Sequence, residues 1–573
     1  MTKIVDTRIT WTISAPVLAV IVLIAGCLSV SVFAADKPKL VLQITVDQLR
    51  GDLPTRYYDR LGEGGFRYLW ENGLVYGNAH HAHANTETIV GHATLATGTH
   101  PSIHGMIGNI WFDRETGYTT YNIEDPDYRL LTEGADVDED AEIDPTQKAA
   151  RSEGRSPASI LVTTFSDELR SANGGQSKVF GVSVKDRGAI SLAGHSGKAF
   201  WFSKASGQFV TSNYYYDEYP QWVKDWNDLN IPQNYAESTW ALLNESSSYI
   251  FADTDDRPWE LDLGGFGRTF PHAYGKGDGK YYTTMLTASP AGDAITLDFA
   301  KALVEAEQLG QDEVTDYLSI SFSSTDYVGH LFGPSSLEGE DNILRLDRTL
   351  AELLRFIDEK VGMGNTLVVL SADHGGPDSP GYLNSLGIPA GYVEPDSWDT
   401  APAIERLKNE FGIEGKIMET YNHPYLFFSE EVTNNGSIDK AALEQAVARE
   451  LATFPGVSIA VGSSALREGN VPDTALHRAV LNNFHPKRSG DIYVVFEPNW
   501  FINDFDGLMV AVTHGSPWPY DTWVPVVFAG AGVQPGKVVR KIHTVDIAPT
   551  LSAYLGAKPP SGSAGTVLQE VFR

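Results

Sequence analysis

The sequence predicts an α/β fold, a largely parallel sheet flanked by helices, on three observations. Apolar runs with strand character recur at 39–46, 179–184, 317–322, 367–371, 491–496 and 525–529. Helical patterns separate them, so successive strands can cross over in parallel. Several runs also end abruptly in Asp, His, Ser or Thr, at the sheet edge where open α/β folds place a site.

The N-terminus stands apart from this pattern. Residues 9–35 carry no charge, follow Lys3 and Arg8, and end in Val32-Phe-Ala34-Ala35 before Asp36. This reads as a secretory signal peptide over 1–34, removed from a working chain of 35–573. A twin arginine is absent, which favours the general secretory route and a periplasmic or secreted protein. The run is long enough to be an uncleaved anchor, and Ile24-Ala-Gly-Cys27 resembles a lipobox, although apolar residues continue past Cys27. Cys27 is the only cysteine, so the cleaved chain forms no disulfide and depends on packing and metals.

The chain is 573 residues long, 42% hydrophobic and 11% aromatic, enough for a large core. Its formal charge is −31, and loss of a leader carrying Lys3, Asp6 and Arg8 leaves −32. Such a surface repels nucleic acid and anionic membranes, so neither is an expected partner. It repels small anions at long range too, so any anion site needs local cations. The acidity is read as a solubility feature, and a monomer is expected.

Taken in order, Lys39-Leu-Val-Leu-Gln-Ile-Thr-Val delivers Asp47 at a strand end. Asn85-Thr-Glu-Thr-Ile-Val-Gly-His-Ala-Thr-Leu-Ala-Thr-Gly then opens a small-residue helix. Helix N-H groups attract an anion there, and Thr88 offers a hydroxyl, with Thr86 as the alternative in the same loop. Taken alone, Thr88 would be an ordinary helix cap. Run 179–184 leads into Lys185 and Arg187, by themselves an ordinary solvated pair. Tyr317-Leu-Ser-Ile-Ser-Phe precedes Asp326 and His330, whose spacing of four puts both on one helical face. Ile343, Leu346, Leu350, Leu353, Leu354 and Ile357 give residues 340–360 a clear helical period. Leu367-Val-Val-Leu then leads through Ser371 to Asp373 and His374.

Between about 200 and 290 the sequence turns to Tyr, Trp, Asn, Gly and Asp with weak periodicity, and is read as an insertion beside the site. Most of its aromatics are expected to pack the core. A helix at 441–453 and a strand at 491–496 suggest a small α/β subdomain at about 440–500, before His514. Three features are set aside. His80, His81 and His83 precede the helix loop without a matching role, and His195-Ser196 lacks the spacing of a nucleophile elbow. The acidic run Asp136–Asp144 has Ala141 and Gln147 where a calcium loop needs Gly and Glu, so a solvated loop is expected.

Together Asp47, Thr88, Asp326, His330, Asp373, His374 and His514 resemble the two-metal site of the alkaline phosphatase superfamily, in the branch with a threonine nucleophile. The sequence is most similar to secreted bacterial phosphatases of the PafA and PhoK type, which are related to type I phosphodiesterases and nucleotide pyrophosphatases. The marks appear in order: Gly91-His-Ala-Thr-Leu, His104-Gly-Met-Ile-Gly-Asn-Ile-Trp with Asn109, Lys185 and Arg187, Arg488-Ser-Gly-Asp-Ile, and Thr513-His-Gly-Ser-Pro. The resemblance implies two Zn2+ per chain, one on Asp326, His330 and His514, the other on Asp47, Asp373 and His374 with Thr88. It implies a phosphothreonine on Thr88, phosphate binding by Asn109, Lys185 and Arg187, and small phosphate monoesters as substrates.

Related chemistries are less well matched. A phosphodiesterase shares the threonine and ligands, but Lys185 and Arg187 favour the dianionic monoester. A sulfatase needs a formylglycine precursor, and the lone cysteine lies in the leader. A cofactor-independent phosphoglycerate mutase would use serine. A dead phosphate- or metal-binding protein would lack a ligand or the nucleophile, and all are present.

Overall fold

The computed structural model describes residues 37–573. The signal peptide expected over 1–34, with Cys27, lies outside the described residues. One ten-stranded sheet organises the rest. Its strands are β1 (Leu40–Val46), β2 (Leu74–His80), β3 (Val179–Ser183), β4 (Lys198–Ser203), β5 (Gln208–Val210), β6 (Asp316–Phe322), β7 (Thr366–Ser371), β8 (Trp523–Gly530), β9 (Gly536–Val538) and β10 (Ile542–His543). The order is β9-β2-β8-β7-β1-β6-β3-β4-β5, with β10 also on β2.

The central strands β7, β1, β6, β3 and β4 are parallel. Helices cover both faces of such a sheet, so its strands read as continuous apolar runs. Every residue of β1, β3, β6 and β7 is buried. Polar exceptions are paired within the core: the Tyr317 hydroxyl donates to Gln43 Oε1 at 2.9 Å. β8 runs antiparallel to both β7 and β2.

Register sets the site. Val46 lies opposite Phe322, Thr45 opposite both Ser321 and Ser371, and Ser321 opposite Ser183. The parallel strands therefore finish level with one another. The helices around them include α1 (Thr88–Thr97), α2 (Asp186–Ala193), α3 (Pro290–Glu307), α4 (Ser324–Phe332) and α5 (Leu337–Lys360), with α2 leaving β3 and α4 leaving β6. The predicted period of α5 is realised, with Leu346, Leu350, Leu353 and Ile357 buried. No helix among the described residues is long and apolar enough to cross a membrane.

The run at 491–496 joins a different sheet. Ile492–Phe496 pairs antiparallel with Tyr425–Phe428 and Val457–Gly462, and Met418–Asn422 completes this second layer. Within 200–290, Trp226, Trp240, Phe266, Tyr274 and Tyr282 are buried in one apolar cluster with β1 and α5. The acidic run departs from the solvated loop expected of it. Asp138 and Asp140 are exposed, but Glu142 and Asp144 are buried. The reason is charge: Lys204 pairs with Glu142, and Arg187 with Asp144 at 2.9 Å.

Helix α1 is buried at all ten positions and lies directly on the turn after β7. A Cβ built on Gly91 would fall 1.8 Å from the Asp373 carbonyl oxygen. Backbone cannot yield that much, so Gly91→Ala is expected to cost about 3 kcal/mol or more in denaturant unfolding. Gly77, where an added Cβ meets nothing within 4 Å, is the control, with Gly77→Ala staying within about 1 kcal/mol.

Candidate active site

Level strand ends deliver charge to one place. Asp47 follows β1 directly, Asp373 comes two residues after β7, Lys185 two after β3, and Asp326 in the first turn of α4 beyond β6. Because β8 runs the other way, the loop before it brings His514 to the same edge. β2 leaves that edge through 81–87, which ends at Thr88.

The groups meet closely. Lys185 Nζ lies 2.8 Å from Asp47 Oδ2 and 2.5 Å from Asp326 Oδ2. His374 Nε2 is 3.3 Å from Asp47 Oδ1 and 3.4 Å from Asp373 Oδ2. His330 Nε2 and His514 Nε2 are each 3.3 Å from Asp326 Oδ1. Two sets have their ligand atoms within 4.8 Å of one another: Asp47, Asp373 and His374, and Asp326, His374 and His514. His374 belongs to both sets, and its ring stacks on His514 at 3.7 Å. His330 adjoins the second set through Asp326.

All three imidazoles are oriented alike. Nδ1 of His374 contacts the Gly375 carbonyl at 2.8 Å, Nδ1 of His330 that of Val512 at 2.8 Å, and Nδ1 of His514 that of Thr86 at 2.9 Å. A carbonyl only accepts, so each Nδ1 carries the hydrogen, and Nε2 is the atom left to take a proton or a cation. Burial lowers the His374 pKa, but Asp373 and Asp47 outweigh it and push it up to about 9. The cluster thus calls for positive charge. Burial and the neighbouring His374 push His514 down to about 3.

These residues fit divalent cations. Asp47 Oδ1, Asp373 Oδ2 and His374 Nε2 are buried without a hydrogen bond, and Asp47 Oδ2 meets the Lys185 ammonium at 2.8 Å. Orphaned carboxylate and imidazole atoms facing one another are costly unless a cation lies between them. A mixed carboxylate and imidazole set suits zinc.

Sequence reasoning missed the residues that hold this cluster in shape. Gln48 sits in the left-handed region at φ 65°, its N–H donating to Asp373 Oδ1 at 3.2 Å and its Nε2 to Asp326 Oδ1 at 2.7 Å. Gly329 makes room, since a Cβ there would fall 1.8 Å from Gln48 Oε1. His92 bridges α1 to the cluster, with Nδ1 2.9 Å from the Thr88 carbonyl and 3.1 Å from Asp373 Oδ2, and Nε2 2.9 Å from Ser321 Oγ. No spacing in the sequence announces either residue.

Beside the cluster opens a pocket of ≈ 170 Å³ walled by Thr88, Asn109, Arg187, Asp326, His330 and His514. Thr88 is the first residue of α1, with its Oγ1 3.5 Å from Arg187 Nη2. Arg187 is held by Asp144 and, at 3.3 Å, by the Tyr121 hydroxyl. Asn109 Oδ1 accepts the Ile89 N–H at 3.1 Å, which leaves its NH2 group free of that bond. Glu87, pushed up to about 7 by burial, accepts the Asn109 N–H at 2.7 Å. Thr86 is engaged elsewhere, its hydroxyl donating to the Ser516 carbonyl at 2.9 Å. Lys185 is not on the pocket wall, because its ammonium lies between Asp47 and Asp326.

Most of the histidines set aside earlier have local partners. His80 contacts Asn78 Oδ1 at 3.0 Å, His81 the Ala372 carbonyl and Thr544, and His195 pairs with Asp167 at 2.8 Å, whereas His83 has only a ring contact with His81 at 5.0 Å and both its ring nitrogens are buried without a hydrogen-bond partner.

The family of type I phosphodiesterase / nucleotide pyrophosphatase matches residues 41–517. The chain belongs to this family. Within reach of it, alkaline phosphatase PafA of Elizabethkingia meningoseptica is 36% identical over 547 residues, 94% of this chain and 95% of the relative. Alkaline phosphatase PhoV of Synechococcus elongatus is 35% identical over 540 residues, covering 94% and 93%. A solved structure of PafA superposes with a TM-score of 0.84 at 34% identity, over 94% of this chain and 99% of that one.

Gln48→Ala removes the side-chain bond to Asp326 and is expected to weaken the affinity of the cluster for a divalent cation about 10- to 100-fold, measured by chelator competition. Gln48→Gly suits the left-handed backbone yet should bind no more tightly than the alanine variant. Full affinity in the glycine variant would show that the side chain does not position the cluster.

Proposed function

We propose that the protein is a zinc-dependent alkaline phosphatase, a phosphoric monoester hydrolase that releases inorganic phosphate through a covalent phosphothreonine on Thr88. The observation that carries this reading is the place of Thr88, first residue of a buried helix, with its hydroxyl 3.5 Å from Arg187 and in the pocket that Asp326, His330 and His514 also line. Asp326, His330 and His514 would hold one zinc ion, and Asp47, Asp373 and His374 with Thr88 a second, which would supply Lewis acidity and make the threonine hydroxyl easier to ionise.

The chain's own groups do the rest. Thr88 Oγ loses its proton to solvent and attacks phosphorus in line, the Oγ–P bond forming as the ester P–O bond breaks, and the departing oxygen takes a proton from solvent. A water then attacks from the opposite side, its oxygen replacing Oγ on phosphorus while a proton returns to Thr88, which frees phosphate. Arg187 and the Asn109 NH2 group hold the nonbridging oxygens, where bonds to charge are strongest, and the first N–H groups of α1 add their dipoles. Lys185 adds positive charge behind this group, against Asp47 and Asp326. Burial disfavours the Lys185 ammonium, but the two carboxylates hold its pKa above the ordinary value.

The family's description also covers diesterases, and the charge of the pocket favours monoesters. A monoester brings a dianion with three free oxygens, whereas a diester brings one charge and a second substituent. On the same reading the working chain is 35–573, exported to the periplasm or beyond after loss of 1–34, monomeric, with an insertion at 200–290 and a small α/β subdomain at 440–500.

Two experiments test this. Acid quenching during turnover should trap phosphate on Thr88, and Thr88→Ala should keep its zinc yet trap none. Phosphate mapped to Thr86 would refute the assignment. The second experiment compares matched aryl monoester and diester substrates. Replacing Lys185 and Arg187 together with alanine should cost the monoester on the order of 10² to 10³ in rate, the range for lost preorganised donors, and the diester far less. Equal losses with zinc content unchanged would contradict monoester selection by this pair.

A further inference from the structure

The mouth of the pocket is chemically unlike its floor. Ile110, Pro145, Tyr421, Ile502 and Phe505 line it, and each is only half-buried. They come from four separate segments. Phe505 sits on a hairpin, Asp504–Phe505 paired with Leu508–Met509, which turns at Asp506 and Gly507 with φ of 52° and 88°. Its ring lies 5.0 Å from that of His330, so the aromatic surface begins where the cluster ends. Tyr421 belongs to the second sheet, and its hydroxyl is already engaged by His423 Nδ1 at 3.0 Å.

Charge at the mouth is negative. Of the acids lining the pocket, Asp144 and Asp326 are buried against Arg187 and Lys185, which leaves Asp504 as the exposed one at the opening, and among the described lining residues Arg187 is the one Lys or Arg. Arg187 is held by Asp144 beside Thr88 and faces the phosphate end. His423, also lining, is pushed down to about 4 by burial and is neutral at working pH. Lys148 closes the helix that begins at Pro145, and it spends its charge on Asp506 at 3.1 Å, joining that helix to the hairpin. Asp504 is exposed.

We propose that this mouth is a leaving-group subsite that favours neutral aromatic or apolar alcohols and disfavours leaving groups bearing a further anionic group. The inference rests on the monoesterase reading and names its substrate class. An aryl or similarly apolar group gains by covering the half-buried ring of Ile110, Tyr421 and Phe505. A second phosphate or a carboxylate meets the Asp504 charge with no cation to pair with, in a cleft that concentrates its field.

The test uses the zinc-loaded protein and three monoesters: a neutral aryl phosphate, a carboxylate-bearing aryl phosphate of matched leaving-group pKa, and methyl phosphate. Wild type is expected to show kcat/KM at least about tenfold higher for the neutral aryl ester than for the anionic one, as a few pocket contacts can discriminate. Asp504→Asn, which keeps an acceptor for the Gly507 N–H at 2.6 Å, and Asp504→Lys are both expected to narrow that gap, the second at least about threefold, and added salt should narrow it in wild type as well. Phe505→Ala should lower the aryl value about tenfold more than the methyl value. Equal rates on the two aryl esters, or a gap that Asp504→Lys leaves untouched, would overturn the subsite while leaving the phosphatase reading intact. Failure to release phosphate from any of the three would overturn the reading beneath it, and the subsite with it.

Discussion

Asp47, Asp326 and Asp373 are buried almost completely within a few ångströms of one another, and among the described residues Lys185 is the single lysine or arginine paired with them. An uncompensated buried charge costs several kcal/mol even after the protein relaxes. Burial works against the ionised form of Asp47, yet Lys185 more than offsets it and holds that carboxyl below its usual range. Asp373 gains less from its neighbours: burial and the Asp47 charge raise its pKa. One ammonium cannot neutralise three carboxylates, so the fold has to admit further positive charge at this point or leave part of the cluster protonated. Three imidazoles turned with Nε2 toward the carboxylates are what such an arrangement requires.

The architecture follows from serving that point. Parallel strands that finish level bring residues far apart in sequence to one edge, and the antiparallel β8 lets a late segment return there with His514. The segments carrying these carboxylates and imidazoles are then tied down by other buried acids. Asp293 on α3 accepts the Ser324 N–H at 3.1 Å, at the start of the helix that bears Asp326 and His330. Asp521 accepts the Ser516 N–H at 2.9 Å, two residues beyond His514. Burial pushes both carboxyls up to about 7. These bonds fix where the ligands sit, and the close approach of α1 at Gly91 fixes where Thr88 sits relative to them.

Much of this was legible because parallel strands buried on both faces leave unbroken apolar runs. β1, β6 and β7 stood out for that reason, and so did α5 with its regular period. β2 did not, because Gly77 and Asn78 interrupt it and the strand is only partly buried. Strand direction has no signature in composition, so the antiparallel course of β8 could not be read from 525–529. At the site, Asp and His residues at strand ends were visible as residue types in context. Gln48 was not, since its role depends on a left-handed backbone and two carboxylates hundreds of residues away. Asp144 looked like one more acid in a solvated run, and only the position of Arg187 reveals why it is buried.

Anomalous diffraction at the zinc edge, from crystals of the zinc-loaded protein, tests the central claim most directly. Two peaks per chain are predicted at this strand edge, one bounded by Asp47, Asp373 and His374 and the other by Asp326, His330 and His514. A single peak, or zinc bound only elsewhere on the chain, would contradict the account.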